Sequence, residues 1–304
     1  MTVVMVLLLL ATWALWTPDI DRTVLERKYL AAPTDKIDVL GVNLHLRDSG
    51  PKDAPSVLML HGFGASLHTW EPWAQVLAND FRVLRIDLPG SGLSSPDPTD
   101  NYSDSRALEL LVALLDQLKI ERASVIGNSI GGRIAWTFAA LHPQRINKLV
   151  LVAPDGFASP GFEYGTPPKV PFSVVLMRFT LPKALLPMSL APAYVDTAVM
   201  NVDLVTRYHE LMLAPGSRSA LIARMQQTVL QDPVPLLKRI TAPTLLLWGR
   251  QDGMIPIANS ADYAAALPKH QLVVLDDLGH LPHEEAPARF LIPVRSFLLN
   301  GIPR

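Results

Sequence analysis

The stretch that decides the fold is Gly-Asn-Ser-Ile-Gly at residues 127–131. It lies between an apolar run that ends at Ile126 and a helical pattern that begins at Ile130, which predicts a sharp strand–turn–helix connection. In such a turn the serine adopts a strained backbone, and a Cβ atom at position 127 or 131 would collide with neighbouring chain. The pattern therefore predicts that the Ser129 hydroxyl stands clear of the sheet edge. It also places the Ile130 N–H at a helix N-terminus.

Short apolar runs alternate with helical patterns on both sides of this turn. Buried runs separated by amphipathic helices predict an α/β fold with a mostly parallel central sheet flanked by helices. The predicted strands are 56–60, 82–86, 123–126, 148–152, 244–248 and 271–275, preceded by a hairpin over 36–47 that turns near Gly41. The predicted helices are 70–78, 103–118, 130–141, 260–266 and 287–299.

The alternation stops between about residues 155 and 239. This part of the chain is interrupted by prolines and has helical character without a convincing strand. We therefore expect one α/β core formed by residues 36–154 and 240–304, with residues 155–239 inserted as a helical cap.

Composition excludes several classes of function. The chain has 304 residues, with 27 Lys and Arg against 28 Asp and Glu, and 49% of its residues are hydrophobic. Nucleic acid is not an expected partner, because phosphate binding needs clustered basic residues and the sequence has no basic run. With no cysteine, disulfides, thiolate zinc sites and cysteine nucleophiles are excluded.

Residues 1–18 carry no charged side chain, and residues 3–16 are almost wholly apolar. A helix of about 16 residues spans roughly 24 Å, which fits a signal-peptide core better than a full membrane span. Trp13 and Trp16 suit a membrane interface if the segment is retained. We expect a signal or membrane-anchor segment, with the protein exported or membrane-associated on the extracytoplasmic side rather than cytoplasmic. The alternative is an internal packing helix.

Two later residues have the chemistry that Ser129 needs. Serine is a poor nucleophile at neutral pH, so it needs a base and a group that orients the base. Asp252 follows the run 244–248 and His280 follows the run 271–275, at strand ends where open α/β sheets bind ligands. His280 is predicted to take the serine proton, and Asp252 to hold the imidazole tautomer.

Nearby residues supply rivals and supporting groups. His283 is a rival base and Asp155 a fallback acid, whereas His61 is expected to be structural. The glycines of His61-Gly62-Phe63-Gly64 let this loop approach the serine. The backbone N–H groups of Phe63 and Ile130 are therefore predicted to form an oxyanion hole. The turn Asp87-Leu88-Pro89-Gly90-Ser91-Gly92 lacks the phosphate-binding patterns and is interpreted as packing near the site.

These segments together resemble the α/β-hydrolase superfamily over about residues 36–300. The blocks HGFGAS, DLPGSGLS, GNSIGG, the Asp after WGRQ and GHLPHEEAP occur in the order of that family. The resemblance implies the nucleophile Ser129, the acid Asp252, the base His280, the oxyanion amides of Phe63 and Ile130, and a cap that covers the acyl pocket. It also implies catalysis without metal or cofactor.

The branch of the superfamily is less sharply defined. GNSIGG is similar to the elbow of meta-cleavage-product hydrolases, which cleave C–C bonds, but a Trp usually follows their catalytic His, whereas Leu281 follows here. Carboxylic-ester hydrolysis therefore leads, with a small hydrophobic ester as substrate, because residues 170–200 carry few charges. The open alternatives are C–C hydrolysis, a haloperoxidase or perhydrolase activity, and a weakly catalytic small-molecule-binding protein.

Overall fold

The computed structural model describes residues 16–159 and 162–302. In these residues eight strands form one sheet in the order β1-β2-β4-β3-β5-β6-β7-β8. β1 and β2 are antiparallel and β2 pairs antiparallel with β4, whereas all pairs from β4 to β8 are parallel. The strands are β1 Lys36–Val39, β2 Val42–Ser49, β3 Ser56–Leu60, β4 Arg82–Ile86, β5 Ala123–Ser129, β6 Ile146–Pro154, β7 Thr244–Gly249 and β8 His270–Leu275. The predicted fold class, a mostly parallel sheet flanked by helices, is confirmed.

Twelve α-helices surround the sheet in the described ranges. They are α1 Arg22–Tyr29, α2 Glu71–Leu77, α3 Asp104–Gln117, α4 Ile130–Leu141, α5 Phe172–Leu176, α6 Leu186–Leu190, α7 Val202–Met212, α8 Ser217–Gln227, α9 Val234–Leu237, α10 Ala258–Ala266, α11 Pro282–Glu285 and α12 Pro287–Asn300. Short 3-10 helices cover Leu67–Trp70, Pro143–Arg145, Lys183–Leu185, Ala191–Ala193 and Thr197–Val199. Each predicted strand and helix exists, with ends displaced by at most three residues.

The sheet is buried on both faces because its side chains alternate. Leu58 and Leu60 of β3 face a cluster that contains residues of α3 and α4. Val57 and Met59 of the same strand face a second cluster, which contains residues of α2 and α12. A strand that is apolar at every position can therefore bury all its side chains only when helices cover both faces of the sheet.

Two helices outside residues 155–239, α1 and the one-turn α11, were not predicted. Residues 17–34 are polar in sequence, yet α1 forms there, with Asp21 accepting a hydrogen bond from the Thr23 amide at the N-cap. Only Leu25 of this helix is fully buried, so the helix has a narrow apolar side that gives little periodic signal.

The expected signal or anchor segment over residues 1–18 lies outside the described residues except for residues 16–18, which form neither helix nor strand. In the described part of the chain, none of the helices has the length and apolar character that a membrane span requires. Between residues 155 and 239 the structure has five of the helices, α5 to α9, and no strand within the described positions.

Candidate active site

Ser129 is the last residue of β5 and directly precedes α4. Its backbone is strained, with φ of 55° and ψ of −121°. A Cβ atom on Gly127 would clash with the backbone of Gly131, and a Cβ atom on Gly131 would clash with the carbonyl oxygens of Leu60 and His61. The glycines are therefore required because the chain crosses itself at close range, as the sequence pattern predicted.

Asp252 and His280 meet at the carboxyl ends of β7 and β8. The His280 ring Nδ1 donates to Asp252 Oδ2 at 2.8 Å, and both side chains are almost completely buried. The other carboxylate oxygen, Oδ1, accepts hydrogen bonds from the amides of Met254 and Ile255, both at 2.8 Å. The aspartate is thus fixed from one side and holds the imidazole from the other, which leaves Nε2 for chemistry.

The rival acid and base are engaged elsewhere. The Asp155 carboxylate lies 3.2 Å from Arg133 Nη1. His283 is fully buried, stacks on Trp70 at a ring-centroid distance of 4.1 Å and bonds Thr69 through Nε2. Burial lowers the pKa of His283 to about 3, so this ring is a neutral packing element.

His61 supports the loop that approaches Ser129. Its Nδ1 donates to the carbonyl of Gly62 at 2.8 Å, and its Nε2 accepts from the amide of Leu88 at 2.9 Å. Both ring nitrogens are used and burial lowers the pKa of His61. The side chain therefore ties the loop of residues 61–64 to the turn that begins at Asp87.

Asp87 in turn holds this turn together. One carboxylate oxygen accepts from the amide of Leu67 at 2.6 Å, and the other accepts from Leu93 at 2.8 Å and from His45 Nδ1 at 2.7 Å. Burial raises the pKa of Asp87, but the neighbouring His45, His61 and His68 together lower it more, so the pKa lies well below its ordinary value. The DLPGSG segment is a packed turn behind the site.

The candidate oxyanion groups belong to segments next to Ser129. Gly62, Phe63 and Gly64 line the same cavity as Ser129 and His280. Ile130 begins α4 immediately after the serine, so its amide lies at the positive end of the helix.

Sequence reasoning missed the groups that hold the His280 loop. Asn128 donates through Nδ2 to the carbonyl of Val152 at 3.1 Å and to that of His280 at 3.2 Å. The amide of His280 donates to the carbonyl of Ala193 at 2.8 Å. Asn128 sits inside the GNSIGG block and was a visible signal, whereas the backbone of residue 193 carries none.

The cap and the histidine loop are also joined through α11. Glu284 accepts hydrogen bonds from the hydroxyls of Tyr194 and Tyr208, at 2.5 and 3.0 Å, and from Arg207 at 2.8 Å. Burial raises the pKa of both tyrosines, so both remain neutral donors. Glu285 accepts from the amide of Gly279, next to His280. His280 is therefore positioned by contacts with both the cap and the core.

A cavity of about 600 Å³ lies between the cap and the strand ends. Within the described positions His280 is the only side chain in its lining that can carry a charge, since neither Lys, Arg, Asp nor Glu occurs there. The described ranges also contain no cluster of three or more His, Asp or Glu arranged to hold a metal ion. The residues that line the cavity are Gly62, Phe63, Gly64, Ala65, Asn128, Ser129, Ser173, Val174, Leu176, Met177, Thr180, Leu181, Pro182, Leu185, Leu186, Ser189, Leu190, Ala193, Tyr208, Met212, Leu221, Met254, His280 and Leu281.

Comparison with known proteins gives consistent matches. A family model described as the alpha/beta hydrolase fold matches residues 55–287. The chain is 32% identical over 269 residues to a 2-hydroxy-6-oxononadienedioate/2-hydroxy-6-oxononatrienedioate hydrolase of Cupriavidus pinatubonensis, with 84% of this chain and 91% of the relative covered.

Solved structures are similar at lower identity. An enol-lactonase of Burkholderia xenovorans is 25% identical with a TM-score of 0.74, covering 87% of this chain and 100% of its own. A meta-cleavage product hydrolase of Pseudomonas fluorescens is 22% identical with a TM-score of 0.75, and the match covers 88% of this chain and 98% of that chain. At 22% identity the second likeness concerns the fold alone.

Proposed function

The chain belongs to the α/β-hydrolase family, and from that premise we propose that it is a serine hydrolase of carboxylic esters with uncharged, apolar acyl groups. One observation carries the choice of substrate. The cavity beside Ser129 is lined by apolar side chains, with no Lys or Arg among its described lining residues to pair with a substrate carboxylate. A charged acyl group would lose its hydration there without compensation.

In the proposed reaction His280 Nε2 takes the proton of the Ser129 hydroxyl as the oxygen attacks the ester carbonyl. The amides of Phe63 and Ile130 donate hydrogen bonds to the oxyanion that forms. Asp252 accepts a hydrogen bond from the His280 Nδ1–H and stabilises the imidazolium. His280 then returns its proton to the departing alkoxide, which leaves an acyl group on Ser129. Water, activated by the same imidazole, releases the acid.

The 2.8 Å contact of His280 with Asp252 supports this assignment of roles. So does the common cavity that Ser129 and His280 line. Asp155, the fallback acid, is instead 3.2 Å from Arg133.

C–C hydrolysis is the second candidate. The Cupriavidus relative is named as a hydrolase of 2-hydroxy-6-oxononadienedioate, and the GNSIGG block is similar to the elbow of hydrolases that cleave C–C bonds. That name denotes two carboxylates, and the described part of the lining offers no Lys or Arg to pair with either. Similarity to the Cupriavidus relative therefore favours C–C hydrolysis, while the lining of the cavity favours hydrolysis of an uncharged ester.

A panel of three substrates tests the proposal. p-Nitrophenyl butyrate is compared with p-nitrophenyl hemisuccinate, which places a carboxylate at the end of a chain of similar length, and with a 2-hydroxy-6-oxohexa-2,4-dienoate. We expect kcat/KM for butyrate to exceed that for hemisuccinate by roughly a hundredfold or more, since an unpaired charge is buried in the latter. Faster cleavage of the dienoate than of butyrate would overturn the proposal in favour of C–C hydrolysis. Binding of all three without turnover would indicate a small-molecule-binding protein.

A further inference from the structure

Large apolar side chains are exposed on the outer surface of the cap. Phe172 is 74% exposed and Met188 is 73% exposed, and neither lines the cavity. Phe172 and Phe179 are seven residues apart along α5 and the turn that continues it, so they lie on one side of that segment, and Phe179 does not line the cavity either. Exposed apolar clusters of this kind mark interaction surfaces.

The same short helices form the wall of the cavity. Leu176 and Ser173 of α5 line it, as do Leu186 and Ser189 of α6. Each helix therefore presents one side to the cavity and another, carrying Phe172 or Met188, to the outside. A partner that binds the outer side of these helices would therefore lie close to the cavity that the substrate must enter.

The N-terminal part of the described chain meets the cap at this surface. The ring of Trp16 packs on that of Phe179 at a centroid distance of 6.1 Å. The Thr17 amide donates to the Phe179 carbonyl at 3.0 Å, and the Thr17 hydroxyl accepts from the Leu181 amide at 2.9 Å. The preceding residues 1–15 contain no charged side chain. An apolar sequence therefore joins the described structure at the apolar side of the cap.

The segment that carries Phe172, Phe179 and Met188 has charges of one sign. Residues 169–190 contain Lys169, Arg178 and Lys183 and no acidic residue, although the whole chain has a net charge of −1. All three cations are exposed. A segment that combines exposed aromatic and aliphatic side chains with Lys and Arg matches the boundary between the acyl region and the headgroups of an anionic bilayer.

We propose that the surface formed by Trp16, Phe172, Phe179 and Met188, here called the cap patch, docks on an anionic phospholipid bilayer. Docking places the cap helices that wall the cavity against the acyl region. Esters dissolved in the bilayer would then reach Ser129 directly. This last step rests on the proposed function, whereas the docking itself does not.

Single cysteines test the docking in the full chain, because the natural sequence contains none. Phe172→Cys and Met188→Cys are labelled with a dye whose fluorescence rises in apolar surroundings. Ile292→Cys is the matched control, since Ile292 is 73% exposed but lies on α12 of the core. Vesicles of phosphatidylglycerol and phosphatidylcholine in equal amounts are then added.

We expect a several-fold rise in fluorescence at positions 172 and 188 and no change at 292. Arg178→Gln should weaken vesicle binding about fivefold, and high salt should weaken it further. An unchanged signal at 172 and 188, or an equal rise at 292, would overturn the proposal. A label at 172 that is already shielded before vesicles are added would also overturn it, because residues 1–15 or a second copy of the chain would then cover the patch.

Failure of docking and failure of the proposed function give different results. Ser129→Ala introduced into the labelled variants should abolish hydrolysis of p-nitrophenyl butyrate and leave the fluorescence rise intact. Conversely, the labelled variants without that change should hydrolyse the dissolved ester at the normal rate whether or not they bind vesicles.

Discussion

The β5–α4 turn and the cap line the same cavity but are held by different forces. All seven residues of β5 are buried, and its final residue, Ser129, is fixed by backbone contacts that tolerate no added carbon at Gly127 or Gly131. In contrast, no residue of α5 in the cap is fully buried. The turn has one accessible arrangement, whereas the part of the cap around α5 and α6 consists of five-residue helices whose side chains line the cavity on one side and are exposed on the other. We therefore expect changes in the turn to act on chemistry and folding, and changes in the cap to act on substrate range and contacts.

The largest difference should come from two serines that line the cavity, Ser129 in the turn and Ser173 in the cap. Ser129→Ala removes the proposed nucleophile and should lower kcat for p-nitrophenyl butyrate by about a million-fold. Ser173→Ala should leave kcat within a few-fold, because this hydroxyl has no proposed role in the reaction. Both variants should keep the thermal unfolding temperature. Covalent labelling by a serine-directed phosphonate, mapped to a peptide, checks the assignment independently; label on Ser173 would reverse it.

A smaller but still large effect is expected at the two candidate acids. Asp252→Asn should lower kcat about ten-thousand-fold, because the amide favours the wrong imidazole tautomer. Asp155→Asn should cost little activity, since its carboxylate lies beside Arg133 rather than His280. Steady-state kinetics on both purified variants decide the matter. If the Asp155 variant is the more damaged, the acid lies at the cap boundary and not at the end of β7.

Glycines in the two regions should differ in their effect on stability. Gly127→Ala drives a Cβ atom into the backbone of Gly131, which cannot move without breaking the turn, so the free energy of unfolding should fall by about 3 kcal/mol or more. Gly165→Ala in the cap has a φ of +73° but meets nothing within 4 Å, so it should cost only about 1 kcal/mol. Denaturant unfolding monitored by circular dichroism measures both. Equal losses would show that the turn is more adaptable than its contacts indicate.

Acid should weaken the core gradually. Burial holds the pKa of His68 and of His283 at about 3, below the ordinary value of 6.5. The unfolded chain therefore binds protons at these residues below pH 6.5 while the folded chain does not, so their contribution to stability is complete above pH 6.5 and is lost as the pH falls toward 3. Each histidine should add a slope of about 1.4 kcal/mol per pH unit. His283→Gln should make the measured slope shallower by that amount; an unchanged slope would mean that His283 titrates normally.

Much of the core could be predicted from sequence because its signals are local. The alternation of apolar runs with helical patterns predicted the strands of the parallel sheet, and the strand ends predicted that Asp252 and His280 lie at one edge. Helix α1 could not be predicted in this way, since a single buried leucine leaves no periodicity. The linkage of Asn128 to the carbonyl of His280 joins residues 152 positions apart and has no local signature beyond the GNSIGG block.

By itself, the sequence determined the class of fold and the residues able to carry out serine chemistry, because the spacing of glycines and of apolar side chains acts through neighbouring backbone. Only the tertiary structure decided that Asp252 rather than Asp155 contacts His280, that His283 is buried against Trp70, and that the described cavity lining contains no Lys or Arg. These outcomes depend on which distant segments come within a few ångströms of each other. That proximity is set by packing of the whole chain, so the local pattern around any one residue does not contain it.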